Sequence, residues 1–168
     1  MVRDIVCGLR EGVSVGDRLD AREAKMTGPH FQIRVSDVKP APVQARDGWR
    51  DMDIRFLVHR ENAGANEVCF WRTVFGPGAA HERHVHPKAA EVLYVVRGRG
   101  AAGTGDEEHE IVEGSAQYIP PGAVHWFRNP GESQSVEIVG CYAPAGSLQD
   151  AGYVYVGEIT AEYRQVKS

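Results

Sequence analysis

From about residue 54 onward the chain runs in short apolar stretches that alternate with polar positions and are cut by glycine, proline and asparagine. Alternation with a period of two is the mark of strands half buried against a core, and no helical period of any length interrupts it. The pattern predicts strands near Ile54–Val58, Val68–Phe75, His84–His86, Glu91–Val96, Ala101–Thr104, Glu110–Val112, Gln117–Ile119, His125–Arg128, Val136–Tyr142 and Tyr153–Val156. Asn62-Ala63-Gly64, Gly76-Pro77-Gly78, Gly114-Ser115 and Asn129-Pro130-Gly131 carry the residues that turns demand. Many short strands at this spacing specify an all-β sandwich or small barrel.

The first fifty residues follow a different pattern. Asp20-Ala21-Arg22-Glu23 has the form of a helix N-cap with its reciprocal glutamate, and Gly28-Pro29 stops whatever follows, which predicts a short helix over Ala21–Met26. Phe31-Gln32-Ile33-Arg34-Val35 alternates like a strand, and Pro40-Ala41-Pro42 reads as a linker. The organisation expected is an N-terminal extension over 1–50, a β-barrel domain over 51–158 and a tail over 159–168.

Composition narrows the function. A length of 168 residues suits one domain with a real core, and 19 glycines with 9 prolines suit a turn-rich chain. A formal charge of −4 with no basic stripe argues against nucleic acid and against anionic membrane surfaces. The longest apolar run, Val92–Val96, is too short to span a bilayer, and the opening residues lack a hydrophobic signal core, so a cytoplasmic protein is expected. Cys7, Cys69 and Cys141 lie far apart with no C-x-x-C pair, so no disulfide is expected, and Cys69 and Cys141 read as buried thiols.

The chemistry sits in His84-Val85-His86, Glu91 and His125. Residues two apart on a strand share a face, so His84 and His86 can offer adjacent nitrogens to one ion. Pro87 cannot donate to a sheet ladder, which ends that strand and returns the chain with Glu91 opposite the histidines. Pro120-Pro121-Gly122 makes a second sharp entry before His125. Neutral imidazoles with a carboxylate suit iron, copper, nickel or zinc, and four protein ligands on an ion that prefers six leave two positions open.

Two longer patterns frame these ligands. Gly78, His84, His86, Glu91 and Gly98 meet every position of the first cupin signature, and Gly114, Pro120, Gly122, His125 and Asn129 meet every position of the second. The chain therefore resembles a cupin, directly over 78–129 and by strand pattern over 54–156, with no tandem repeat. The resemblance implies a double-stranded β-helix, the cupin jelly-roll barrel, with one divalent transition metal near one mouth. His84, His86, Glu91 and His125 would be its ligands; Fe(II) is preferred, with zinc, manganese, nickel and copper as alternatives. It also implies a homodimer, formed through barrel faces or leading strands.

The leading functional expectation is a non-haem Fe(II) dioxygenase acting on a small enolisable or phenolic substrate, with Glu91 both ligand and candidate catalytic base. One anionic ligand leaves a divalent ion a formal charge of about +1, which attracts an anionic, bidentate oxygen ligand such as an enolate. The alternatives are an isomerase, cyclase or lyase using the ion as Lewis acid, and a small-ligand binding module without catalysis. Face parity puts Leu93 and Val95 with Glu91, and Phe127 with His125, as candidate pocket wall. Tyr118 is a candidate proton donor near the metal, against the plainer reading of a buried tyrosine with a satisfied hydroxyl. His30, His59 and His81 read as surface histidines, His109 as solvated, and Asp106–Glu113 as a charged edge that resists aggregation. Gly98–Gly103 fits the dinucleotide glycine fingerprint, but no helix pattern follows it; His81-Glu82 lacks the second histidine of the metalloprotease motif at Val85.

Overall fold

A computed structural model of the chain describes residues 31–105 and 107–160. The strands are β1 (Trp49–Val58), β2 (Cys69–Val85), β3 (Ala90–Arg97), β4 (Arg99–Thr104), β5 (Glu107–Val112), β6 (Ala116–Ile119), β7 (His125–Arg128), β8 (Val136–Ala143) and β9 (Val154–Gly157). Two single-turn helices, α1 (Arg60–Ala63) and α2 (Leu148–Ala151), sit in connections. All nine strands belong to one antiparallel sheet of order β5-β4-β7-β2-β8-β3-β6, with β1 and β9 also paired to β2. The sheet curls on itself, so that Trp71, Phe75, Val95, Phe127, Ile138 and Tyr142, from four strands, share one core. This is the expected double-stranded β-helix. Among the described residues no helix is long and apolar enough to cross a membrane.

The strand β2 makes the curl possible. Its first part, Cys69–Phe75, pairs position by position with β8, and its second part, from Ala80 to His84, pairs with β7. The two strands predicted separately here are thus one, and Gly76-Pro77-Gly78 is a corner within it and not a hairpin turn. On the β1 side the register jumps from Arg50↔Ala80 to Met52↔Phe75, so β2 carries extra residues at the bend. Such a bulge lets one strand leave one layer and enter another.

Asn129 clamps that corner. Its side-chain Nδ2 donates toward the carbonyls of Phe75 (3.1 Å), Gly76 (3.0 Å) and Gln134 (2.7 Å), while Oδ1 accepts from the Gly131 N–H at 3.0 Å. The backbone adds Gly78 N–H to Asn129 O and Asn129 N–H to Ala79 O. Asn129→Ala would take this donor from the buried Phe75 carbonyl and from the partly buried contacts to Gly76 and Gln134. It is expected to cost about 2 kcal/mol, seen as a lower urea midpoint with an unchanged slope.

Elsewhere the chain departs from expectation. Residues 31–34 form no strand, and Val35–Asp37 make a 3-10 turn in place of the alternating strand expected over Phe31–Val35. The helix expected over Ala21–Met26 lies outside the described residues. The acidic edge is not all solvated: the Glu108 carboxylate accepts from the buried Trp126 indole and from the Arg128 guanidinium. His109 does stand exposed beside Glu107. Cys69 and Cys141 are free thiols, and burial pushes the Cys69 thiol up to about 12, so it stays protonated.

Candidate metal centre

Three strands and one strand end deliver the four ligands. His84, near the end of β2, lies directly opposite His125 on β7, and His86 follows one residue beyond β2. The chain turns at Pro87-Lys88 and re-enters as β3, whose second residue is Glu91. Gly122, in the turn before β7, donates its N–H to the His86 carbonyl at 3.0 Å, tying the two motifs together. One ligand atom from each of His84, His86, Glu91 and His125 lies within 4.8 Å of the others, and all four side chains are buried.

Ring orientation is set from behind. The Nδ1 of His84 lies 2.7 Å from the Glu82 carbonyl oxygen and that of His125 lies 2.9 Å from the Ala123 carbonyl oxygen. A carbonyl only accepts, so in His84 Nδ1 carries the proton and Nε2 presents its lone pair inward, whereas both ring nitrogens of His125 face acceptors, the Ala123 carbonyl and the Glu91 carboxylate. The Nε2 of His125 is 3.0 Å, and that of His86 3.4 Å, from the same Glu91 Oε2. His84 Nε2 and both ring nitrogens of His86 are buried and make no hydrogen bond.

Orphaned polar atoms of this kind are costly in an interior, and a cation held by nitrogen and carboxylate oxygen would satisfy them. Burial, helped by the neighbouring imidazoles, holds His84 well below the usual histidine range; burial also brings His86 down to about 4, against the pull of Glu91. Both rings are therefore neutral near pH 7, the form that ligates. The donor set fits a divalent transition metal.

Beside the ligands lies a small chamber of about 10 Å³, room for about one water or one oxygen of a guest. Ile54, Trp71, Thr73, Phe75, His81, Glu91, Phe127, Ile138 and Tyr142 are among the residues that line it. Phe127 stands on this wall as face parity suggests. Leu93 is fully buried in the adjoining core but does not reach the chamber. Tyr118 must be corrected: it pairs with Val92 on β3, one position off the inward Glu91, and is 63% exposed on the outer face. It cannot donate a proton near the metal.

His81 is the second correction. It is buried and stacked between Trp49 (3.8 Å between ring centroids) and His84 (3.6 Å). Three residues apart on a regular strand, His81 and His84 would face opposite ways. A register slip between His81↔Phe127 and His84↔His125 inserts one residue and turns both rings inward. Neither this slip nor the inward facing of Trp71 and Thr73 could be read from parity around the ligand motif alone.

A cupin-domain family model matches residues 71–140, the span that holds all four ligands. Germin-like protein subfamily 3 member 2 of Arabidopsis thaliana is 28% identical over 95 residues, 54% of this chain and 42% of that protein. The chain thus spans about two fifths of the length of that germin-like relative. The uncharacterized protein MJ1618 of Methanocaldococcus jannaschii is 33% identical over 118 residues, covering 70% of this chain and 91% of that one. In three dimensions the polyketide cyclase RemF of Streptomyces resistomycificus superposes with a TM-score of 0.64 at 20% identity, over 80% of this chain and 91% of the cyclase, a likeness of fold. With nearly all of an archaeal relative aligned to it and the family model seated on its ligand-bearing strands, the chain belongs to the cupin family.

Proposed function

We propose that the chain is a metal-dependent enzyme, a non-haem Fe(II) dioxygenase acting on a small enolisable or phenolic oxygenated molecule. The observation that carries this reading is the set of buried imidazole nitrogens without hydrogen bonds, converging with one carboxylate at the wall of a narrow chamber. Bound by His84, His86, Glu91 and His125, Fe(II) would supply a Lewis-acidic centre with redox access to dioxygen. Imidazoles ligate a metal as neutral donors, so Glu91 would bring the only ligand charge and favour an anionic oxygen guest such as an enolate. The Glu91 carboxylate also lines the chamber, within reach of a guest's acidic C–H or O–H, where it can accept the proton lost on enolisation. Ile54, Phe127 and Ile138 keep bulk water from that proton.

The test is oxygen consumption by the iron-loaded protein across a panel of small enolisable ketones, hydroxy acids and phenols. Uptake coupled to substrate loss is expected. Turnover that continues without oxygen would overturn the oxygenase and favour a second reading, an isomerase, cyclase or lyase in which zinc or manganese acts as Lewis acid. The likeness in fold to a polyketide cyclase supports that second reading.

The homodimer and the cytoplasmic setting belong to this proposal too. Val92, Tyr94 and Val96 on β3, with Tyr118 on β6, leave an apolar strip on the outer face of the sheet. A second copy covering that strip would bury it. Light scattering is expected to give twice the chain mass for the native protein and a monomer for Tyr118→Glu.

A further inference from the structure

Three buried polar atoms of residues that line the chamber have no hydrogen-bond partner: the indole Nε1 of Trp71, the hydroxyl Oγ1 of Thr73 and the Nε2 of His81. None of them belongs to the ligand set. A barrel that needed only to be stable gains nothing from three such groups, because each forfeits its hydration on burial. Their geometry is nevertheless fixed. Trp71 and Thr73 are two apart on β2 and share its inward face. The Trp71 ring presses on Gly140, where a Cβ would lie 2.5 Å from Cζ2, and the His81 ring is held in its stack between Trp49 and His84. Such locked, unpaired groups are what a preorganised recognition surface requires.

The charges around them narrow the guest. Among the described residues no lysine or arginine lines the chamber, and the one carboxylate there is that of Glu91. A guest with a carboxylate at this end would bury an anion with no cation to meet it, a costly arrangement. A hydroxyl or carbonyl oxygen can take the indole N–H and the threonine hydroxyl without that cost.

We propose that Trp71, Thr73 and His81 form the specificity-determining end of the chamber and take a neutral hydroxyl or carbonyl oxygen of the substrate, while the substrate's chelating end reaches the metal ligands. This rests on the reading of the site as a metal-dependent substrate chamber. The substrate class it selects is a small chelating hydroxy or keto compound whose far end is uncharged, in preference to a dicarboxylate.

Lactate, glycerate and tartronate share an α-hydroxycarboxylate chelating end and differ in carrying a methyl, a hydroxymethyl or a second carboxylate. Calorimetric titration of each into the full-length protein, carrying the metal with which it purifies, tests the proposal. Glycerate is expected to bind about ten-fold more tightly than lactate or tartronate, the difference one or two hydrogen bonds make. Thr73→Val should erase that preference without weakening lactate, Thr73→Ser should restore it, and Thr73→Val without ligand should melt no lower than the native protein. Trp71→Phe supports the same comparison should Thr73→Val not fold. Tightest binding of tartronate, no preference for glycerate, or a preference that survives Thr73→Val would overturn the proposal and leave the metal chamber standing. A lowered melting point in Thr73→Val would overturn it in favour of a structural water held by the three groups. Binding of none of the three by the metal-loaded protein would overturn the chamber reading itself.

Discussion

His84→Ala is expected to strip the metal from the purified protein while leaving the barrel folded. The Nε2 of His84 is buried and has no partner within the protein, and its Nδ1 is already engaged by the Glu82 carbonyl, so the ring offers its lone pair inward and nowhere else. Loss of an outer hydrogen-bond partner of a metal ligand costs roughly 10–100-fold in affinity, and loss of the ligand itself should exceed that. Thermal melts separate this from simple damage. A metal held at a thousand times its dissociation constant adds about 4 kcal/mol to the native state, so added metal should raise the native protein's melting temperature and leave the variant's unmoved. Without metal the two should melt close together, apart from the lost stacking on His81. Stoichiometric metal in His84→Ala by elemental analysis would refute the four-ligand centre.

The largest effect on folding is expected at Gly103. It lies opposite Trp126 across the β4–β7 ladder, and a Cβ built there would fall 1.9 Å from the Trp126 ring atoms Cε2 and Cζ2. The ring cannot move aside: it is fully buried, its Nε1 donates to Glu108 at 2.9 Å, and the Arg83 guanidinium sits 5.9 Å from its centroid. Gly103 has no left-handed backbone, so the whole penalty of alanine is steric. Overpacking a tight site costs about 1–3 kcal/mol, and this contact belongs at or beyond the top of that range. A urea melt of Gly103→Ala measures it. Pairing it with Trp126→Leu, which opens the space, should return part of the loss and give a non-additive cycle. Full additivity would show that the ring is not the obstacle.

Strand positions were legible in the sequence because a half-buried sheet writes its period of two into the residues, and the ligands were legible because His84, His86, Glu91 and His125 sit in two spaced motifs. The rest depends on partners that no local pattern reports. Gly76-Pro77-Gly78 has the composition of a turn, but its flanks find β8 and β7 to pair with, so the strand continues through a corner. His81 faces inward only because the ladder to β7 slips by one residue. Tyr118 faces outward because its register sets it beside Val92 and not Glu91. Glu108 is drawn from the solvated edge by Trp126 and Arg128, eighteen and twenty residues away. In each case the decisive quantity is cross-strand register, which the pattern within one strand leaves free.

The two carbonyls that fasten the rings of His84 and His125 come from the peptide chain itself, at Glu82 and Ala123. Exchanging either side chain leaves its main-chain oxygen where it was. The rear supports of the centre are thus insulated from point mutation, and any adjustment of reactivity must come through side chains that meet the guest.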